Sequence, residues 1–407
     1  MLKIINATTI HNAPITLTFE QSPDFVFDAK GLTAFPGLID PHVHFRTPGM
    51  EHKENWLTAA KAALRGGYTT VFDMPNTIPP TITEHYLKEK KALIDAQLQE
   101  AGIPLHYQLF FGADKKHLSE IHKVKHDVIG IKVFMGCSTG NLVIDDDESL
   151  HAVFAIAAVH NLIVAVHAED EDLIRQRKKQ YADAHEYGDH SKIRDVEVAT
   201  RAVEKAISLS KIYGTKLYIL HTSTADEIEL IAKAKQAGLP VFAETTPHHL
   251  FLDESAYEHL HGKAVVNPPL RTAKHRAAIF EAINKGIIDT IGSDHAPHTE
   301  HEKYQAYGLC PSGMPGIETT LPLLLNAHHE GFISLEKIIS LTSERPRQIF
   351  NLPNNNDVVL VDLQKKHIVD NTELKTKCGW SSFAGRKLQG WPVYVVLNGR
   401  FYDLRNL

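Results

Sequence analysis

The sequence predicts an α/β protein: a (β/α)8 TIM barrel carrying a small β-sandwich domain built from both termini. Three observations carry this expectation. Strand-like apolar runs alternate with helical patterns over roughly 255 residues, the usual size of such a barrel. Both ends of the chain are β-prone and show no helical period. Residue types that bind metals fall just after the apolar runs, and a barrel keeps its active site at the C-terminal ends of its strands.

The opening stretch gives short runs at Ile15 to Phe19 and Phe25 to Phe27 with turn residues between them. The closing stretch reads the same way: Val358 to Asp362, Tyr394 to Leu397, an Asn398-Gly399 turn, then Phe401-Tyr402. Residues 1–35 and 353–407 are therefore assigned to the small β domain, and 36–352 to the barrel. Barrel strands are expected at Gly37 to Val43, Tyr68 to Asp73, His106 to Phe111, Gly130 to Phe134, Leu162 to Val166, Lys216 to Leu220, Pro240 to Glu244 and Ile287 to Ile291. Helices are expected at Glu54 to Arg65, Glu84 to Glu100, Glu148 to His160, Asp195 to Tyr213, Ala225 to Ala237 and Lys274 to Lys285. Repeated strand-then-helix units imply a parallel sheet, because each return to a parallel neighbour needs a crossover. A doubly wound open sheet is the rival, but it usually carries a Gly-rich turn after its first strand, and here that turn holds two histidines.

Composition narrows the function classes. The 407 residues are 43% hydrophobic and 23% charged, as in a soluble globular protein. A net charge of −6 leaves no overall basic footprint for nucleic acid or membrane. No apolar run approaches about 20 residues, and the first five residues are too short for a signal peptide, so a cytoplasmic location is expected. The three cysteines, Cys137, Cys310 and Cys378, are far apart and form no C-x-x-C, which argues against a disulfide framework or a cysteine zinc site.

The first barrel strand runs into D-P-H-V-H-F-R-T-P-G. In an extended backbone, side chains at i and i+2 point to one side, so His42 and His44 can present nitrogens to one metal ion. Arg46 adds something that a metal does not need and an anionic substrate does. Strand two ends in Asp73-Met74-Pro75-Asn76-Thr77, strand five in His167, strand six in His221, and strand eight in Asp294 with His295 and His298 beyond. This repetition points to a convergent metal site. Lys132 lies in the apolar run of strand four, where an ammonium would be repelled by divalent metal. Either it lies outside the site, or CO₂ converts it to a carbamate, an anion able to bridge two metals. His248-His249, His328-His329, His117, His122 and His126 are assigned to the surface or to a supporting layer. Nothing near Cys137 or Cys310 makes a nucleophile of either. Arg175 to Asp189, with mixed charges, reads as a solvated excursion, and Thr299 to Gly313 as a long loop of the kind that forms lids.

Several of these stretches resemble the dihydroorotase family of metal-dependent cyclic amidohydrolases. They are F-R-T-P-G (Phe45 to Gly49), D-M-P-N-T (Asp73 to Thr77), V-N-P-P-L-R (Val266 to Arg271), S-D-H-A-P-H (Ser293 to His298), G-I-E-T-T-L-P-L-L (Gly316 to Leu324) and C-G-W-S-S-F-A-G (Cys378 to Gly385). The resemblance implies a binuclear Zn²⁺ centre: His42, His44 and Asp294 on one ion, His167 and His221 on the other, with carboxylated Lys132 and a hydroxide between them. It implies that Asp294 is also the general acid/base, that Arg46, Asn76 and His298 bind the substrate carboxylate, and that Asn267 lies near the ring. The implied reaction is the reversible cyclisation of N-carbamoyl-L-aspartate to L-dihydroorotate in pyrimidine biosynthesis. Allantoinase or hydantoinase (dihydropyrimidinase) is the alternative, although their rings lack the carboxylate that such a cluster would serve. Hydantoinases typically have a tyrosine shortly after the strand-four lysine, where this chain reads Met135 to Gly140. The remaining alternative is a non-catalytic dihydroorotase-like partner of aspartate transcarbamoylase, which would be expected to have lost ligands that are all present here. A homodimer is expected, and association with aspartate transcarbamoylase is a further expectation of the resemblance.

Overall fold

The computed structural model describes residues 1–20, 24–136 and 142–407, so Cys137 and the Ser138-Thr139-Gly140 loop lie outside the described residues. The barrel strands are β1 (Leu38–Val43), β2 (Tyr68–Asp73), β3 (His106–Gly112), β4 (Gly130–Phe134), β5 (Val164–His167), β6 (Leu217–Ile219), β7 (Val241–Thr245) and β8 (Thr290–Ile291). All pair in parallel, and sheet order follows chain order, as successive crossovers require. The circle closes through a parallel bridge between Val43 and His295, where His44 N donates to His295 O at 2.8 Å. The expected strands and helices are all present. The eighth strand is shorter than expected, because the Ile287 and Ile288 N–H groups turn back to Ala282 O and close the preceding helix.

The crossover helices begin where the sequence supplies caps. Asn55, Thr83, Asp146, Asp195 and Thr224 each accept a backbone N–H of the first turn, and Thr224 with Glu227 completes a reciprocal capping box. Their apolar faces bury Trp56, Leu64, Ile94, Val153, Val203 and Ile231 against the outside of the barrel. Inside it, Ile39, Phe72, Phe110, Ala165 and Tyr218 pack around Phe350, with ring centroids 4.9 Å from Phe72 and 5.0 Å from Tyr218. The pairing of β1 with β2 slips between Asp40 and Val43. Such a bulge re-aims side chains, and here it sits directly beneath the first two histidines.

Both termini enter one curled sheet of seven strands. Leu2–Thr8 pairs with Pro14–Phe19, Phe25–Asp28 and Thr33–Pro36, and Thr33–Pro36 pairs antiparallel with Val358–Ile368, which joins Lys387–Leu397 and Arg400–Asp403. Leu2, Ile4, Phe19, Leu360 and Val396 form its buried face. Asn398 and Gly399 have φ of 50° and 74°, the pair of positive angles that a tight hairpin turn needs.

Candidate metal centre and substrate pocket

At the C-terminal ends of the strands, His42 Nε2 and His44 Nε2 each lie 3.2 Å from Asp294 Oδ1. Their donor atoms fall within 4.8 Å of one another, and this is the one such cluster of metal-ligating residues among the described residues. Next to it, the facing nitrogens His167 Nδ1 and His221 Nε2 are 2.9 Å apart, and the His42 and His221 rings are 5.5 Å apart. Lys132 is 1% exposed, with Nζ 4.6 Å from the Phe134 ring centre. Its charge acts on all four imidazoles, so the structure brings the six expected ligands into one buried group. Burial pushes His42 down to about 3 and lowers His44, His167 and His221 as well, which leaves every ring in the neutral form that coordinates metal. Burial likewise lowers the Lys132 amine to about 7. Neutral imidazoles, one carboxylate and a buried amine form a donor set that suits divalent metal.

A ring of acceptors aims these ligands. Glu244, at the end of β7, accepts from His42 Nδ1 at 2.7 Å, from Tyr218 Oη at 2.8 Å and from His221 N at 3.3 Å. Glu169 accepts from His167 Nε2 at 2.8 Å and pairs with Arg194; burial raises this carboxyl, but Arg194 and His167 overcome that and hold it down at about 2. Asp40 Oδ1 accepts from His42 N at 3.1 Å and Ser293 N at 3.0 Å, joining the ends of β1 and β8. Asp73 takes Phe45 N at 2.8 Å and the buried Lys90 at 2.5 Å. Gly292 has to be glycine, because a Cβ there would sit 2.5 Å from Glu244 Oε2 and 2.8 Å from His42 Cβ. Arg46, His221 and Asp294 have φ of 63°, 38° and 45°, backbone conformations that cost about 1–3 kcal/mol each and collect where function fixes a side chain.

The pocket beside the cluster is lined by His44, Arg46, Asn76, Asn267 and Asp294, together with Ala296, Ser312 and Gly313. Arg46 is 2% exposed; its Nε donates to Pro297 O at 3.0 Å and one Nη lies 3.1 Å from His298 Nε2. The other Nη has no hydrogen-bond partner among the described residues. Asn76 Oδ1 accepts from His44 Nδ1 at 2.8 Å. His298 is fully buried beside Arg46: Nδ1 accepts from Lys53 Nζ at 3.0 Å, and Nε2 donates to Ser312 O at 3.0 Å.

Several working residues escape the sequence reading. Glu244 follows an apolar run as His167 and His221 do, so the same strand-end rule points to it. His248 and His249, one option for which was the surface, are buried; His249 bonds Thr246 Oγ1 at 2.8 Å and Pro268 O at 3.2 Å. His295 turns away from its neighbour Asp294 and accepts from Gly316 N at 3.2 Å. The long loop after β8 is pinned by the buried Lys303, which donates to Val265 O, Pro311 O and Gly313 O at 3.0, 2.6 and 2.8 Å.

A parallel barrel whose strand ends gather imidazoles and a carboxylate beside a small polar pocket is the architecture of a metal-dependent hydrolase, and the chain belongs to the amidohydrolase family, whose sequence model matches residues 33–401. Within that family it is similar to dihydroorotases. It is 36% identical over 374 residues to the dihydroorotase of Halobacterium salinarum, covering 89% of this chain and 85% of that protein. To the dihydroorotase of Methanosphaera stadtmanae it is 33% identical over 408 residues, covering 96% and 90%. Among solved structures, it resembles the L-hydantoinase (dihydropyrimidinase) from Arthrobacter aurescens, with a TM-score of 0.90 at 26% identity over 99% of this chain and 96% of that one. A D-hydantoinase from a Bacillus sp. AR9 gives a TM-score of 0.87 at 26% identity, covering 100% and 96%.

Proposed function

We propose that the chain is a dihydroorotase, interconverting L-dihydroorotate and N-carbamoyl-L-aspartate. The observation that carries this reading is Arg46, a buried guanidinium with one Nη unpaired, in the same pocket as His44 and Asp294. A buried guanidinium with an unused N–H is costly, and a substrate carboxylate would satisfy it. Hydantoin, dihydrouracil and allantoin carry no carboxylate and would leave it unpaired. Structural likeness to hydantoinases supports the shared barrel, while identity to dihydroorotases over most of the chain favours the substrate with the acid group.

In this reading the metal is zinc. His42, His44 and Asp294 would hold one ion and His167 and His221 another, and Lys132 would serve both as a carbamate, which would remove a positive charge from a buried site. When bound, the ions polarise the attacked carbonyl and activate water. Arg46, Asn76 and His298 would bind the carboxylate, with Asn267 near the ring. Asp294 would take the proton from the attacking water and pass it to the departing ring nitrogen, and return it in the closing direction. The substrate of closure has two carboxylates and the product one, so closure takes up a proton. The equilibrium therefore moves toward the ring by about tenfold for each unit fall in pH above the carboxylate range. A homodimer, association with aspartate transcarbamoylase and a cytoplasmic location belong to the same proposal; no helix among the described residues is long and apolar enough to cross a membrane.

The test is hydrolysis of L-dihydroorotate beside allantoin, hydantoin and dihydrouracil by protein supplied with zinc and bicarbonate, with Arg46→Ala in parallel. Turnover of dihydroorotate that collapses in the variant while metal content holds is the expected result. Turnover of a ring without a carboxylate overturns the substrate. Full metal binding without turnover of any ring moves the chain to a non-catalytic role.

A further inference from the structure

The short helix Asp189–Ile193 closes the excursion that follows β5 and inserts His190 beneath the pocket. His190 Nε2 lies 2.9 Å from Val266 O and 2.9 Å from Asn267 Oδ1, and Nδ1 lies 3.2 Å from Tyr307 Oη. The backbone carbonyl of Val266 can only accept, so Nε2 must carry a proton. A protonated Nε2 has no lone pair to offer, so the Asn267 atom facing it is the carbonyl Oδ1 and not the amide nitrogen. On the other side of the ring, the Tyr307 hydroxyl donates to Nδ1. Burial, with Arg194 nearby, lowers this imidazole to about 4, so the ring is neutral and a single tautomer fits all its neighbours.

Asn267 lines the substrate pocket, and with Oδ1 held from behind, its NH₂ group is the part turned toward a ligand. We propose that His190 is a positioning residue that fixes the Asn267 amide as a hydrogen-bond donor, so that the pocket accepts a substrate edge presenting a carbonyl or carboxylate oxygen and rejects one presenting an N–H. This rests on the substrate reading above and deepens it. The same logic holds at Asn76, whose Oδ1 is taken by His44 Nδ1. Arg46 and Asn267 then offer donors to the pocket, which suits carboxylate and carbonyl oxygens and opposes an N–H placed against the Asn267 amide. His190 also joins two segments distant in sequence, the excursion after β5 and the loop carrying Tyr307, to the residue that meets the substrate.

The experiment is a double-mutant cycle on the metal-loaded protein, with His190→Ala, Asn267→Ala and the double variant. KM, kcat, metal content and thermal unfolding are measured for each, on whichever ring the wild-type protein hydrolyses. Loss of one oriented hydrogen bond predicts a KM raised about tenfold with kcat nearly unchanged in each single variant. The double variant should be no worse than Asn267→Ala alone. Multiplying losses would show that His190 acts independently of Asn267 and would overturn the proposal. A second readout needs no activity: nitrogen NMR of the full chain labelled at histidine, with the His190 signal assigned through Tyr307→Phe. The Nε2-protonated tautomer is expected at pH 7, and an Nδ1-protonated ring overturns the assignment even if His190→Ala does not fold. Turnover of a different ring, by contrast, removes only the substrate reading and leaves both tests legible, and without turnover of any ring the tautomer measurement still decides.

Discussion

Replacing Glu244 with alanine tests whether the end of β7 aims the candidate metal ligands. The carboxylate is fully buried and accepts from three donors: His42 Nδ1 at 2.7 Å, Tyr218 Oη at 2.8 Å and His221 N at 3.3 Å. Tyr218 keeps a second partner in Thr290 Oγ1 at 2.7 Å, so two donors lose their acceptor. At about 1–3 kcal/mol for each orphaned buried group, the fold should lose roughly 2–6 kcal/mol. His42 would also lose the contact that fixes its tautomer and leaves Nε2 free for metal, and losses of this kind weaken metal binding by about 10–100-fold. The assay is chelator competition for zinc on the purified variant, beside denaturant unfolding of metal-free protein. Glu244→Gln keeps an acceptor of the same shape and should fall between the alanine variant and wild type. Wild-type zinc affinity in Glu244→Ala would refute the reasoning, because His42 would then be oriented by something else.

Three more perturbations follow from the same contacts. Gly292→Ala drives a methyl into Glu244 Oε2 and His42 Cβ; overpacking of this sort costs about 1–3 kcal/mol, and zinc affinity should fall in the same chelator competition. Lys90→Met strands the buried Asp73 carboxylate, a loss of about 3–5 kcal/mol in denaturant unfolding that adding Asp73→Asn should partly restore; unchanged stability would mean the pair is dispensable. Burial raises the Glu318 carboxyl from 4.5 to about 7, so the folded state holds its proton more tightly than the unfolded chain and stability declines as pH rises between those values. That difference corresponds to roughly 3 kcal/mol. Glu318→Gln should therefore gain on wild type by about that amount between pH 5 and pH 8 in parallel unfolding curves, and a gap independent of pH would contradict the shift.

What the sequence made legible follows from how each part is encoded. Barrel strands are continuous apolar runs because both faces are covered, and their ligands follow those runs within one or two residues, so His42, His44, His167, His221 and Asp294 stand out locally. The termini were readable as one sheet because turn signals such as Asn398-Gly399 fix their own geometry. Glu244 was locally encoded too, but an acid after a strand draws less notice than a histidine. His190, Lys53 and Lys303 were not legible, because each lies on an excursion whose neighbours in sequence are polar and whose partners are remote. Lys303 reaches Val265, and His190 reaches Val266, across long stretches of chain. The docking of the C-terminal segment is hidden in the same way. Glu54 accepts from Thr376 Oγ1 at 2.5 Å and Lys377 N at 3.1 Å, while Glu318 accepts from Lys375 N and Thr376 N.

These remote contacts divide the labour of the site. The strand ends hold the candidate metal ligands against a rigid apolar interior, where Tyr218 touches both Phe350 and Glu244. That half of the site suits any cyclic amide, and it is the half whose barrel this chain shares with hydantoinases at a TM-score of 0.90. The candidate substrate half is assembled from loops and fixed from behind: Arg46 by Pro297 O, His298 by Lys53, and Asn267 by His190. Choice of ring is therefore set by parts that could change without disturbing the metal ligands, which is how one barrel can serve several related substrates. In this chain those parts include the buried Arg46 guanidinium, and a ring bearing a free carboxylate is the substrate that such a cation fits.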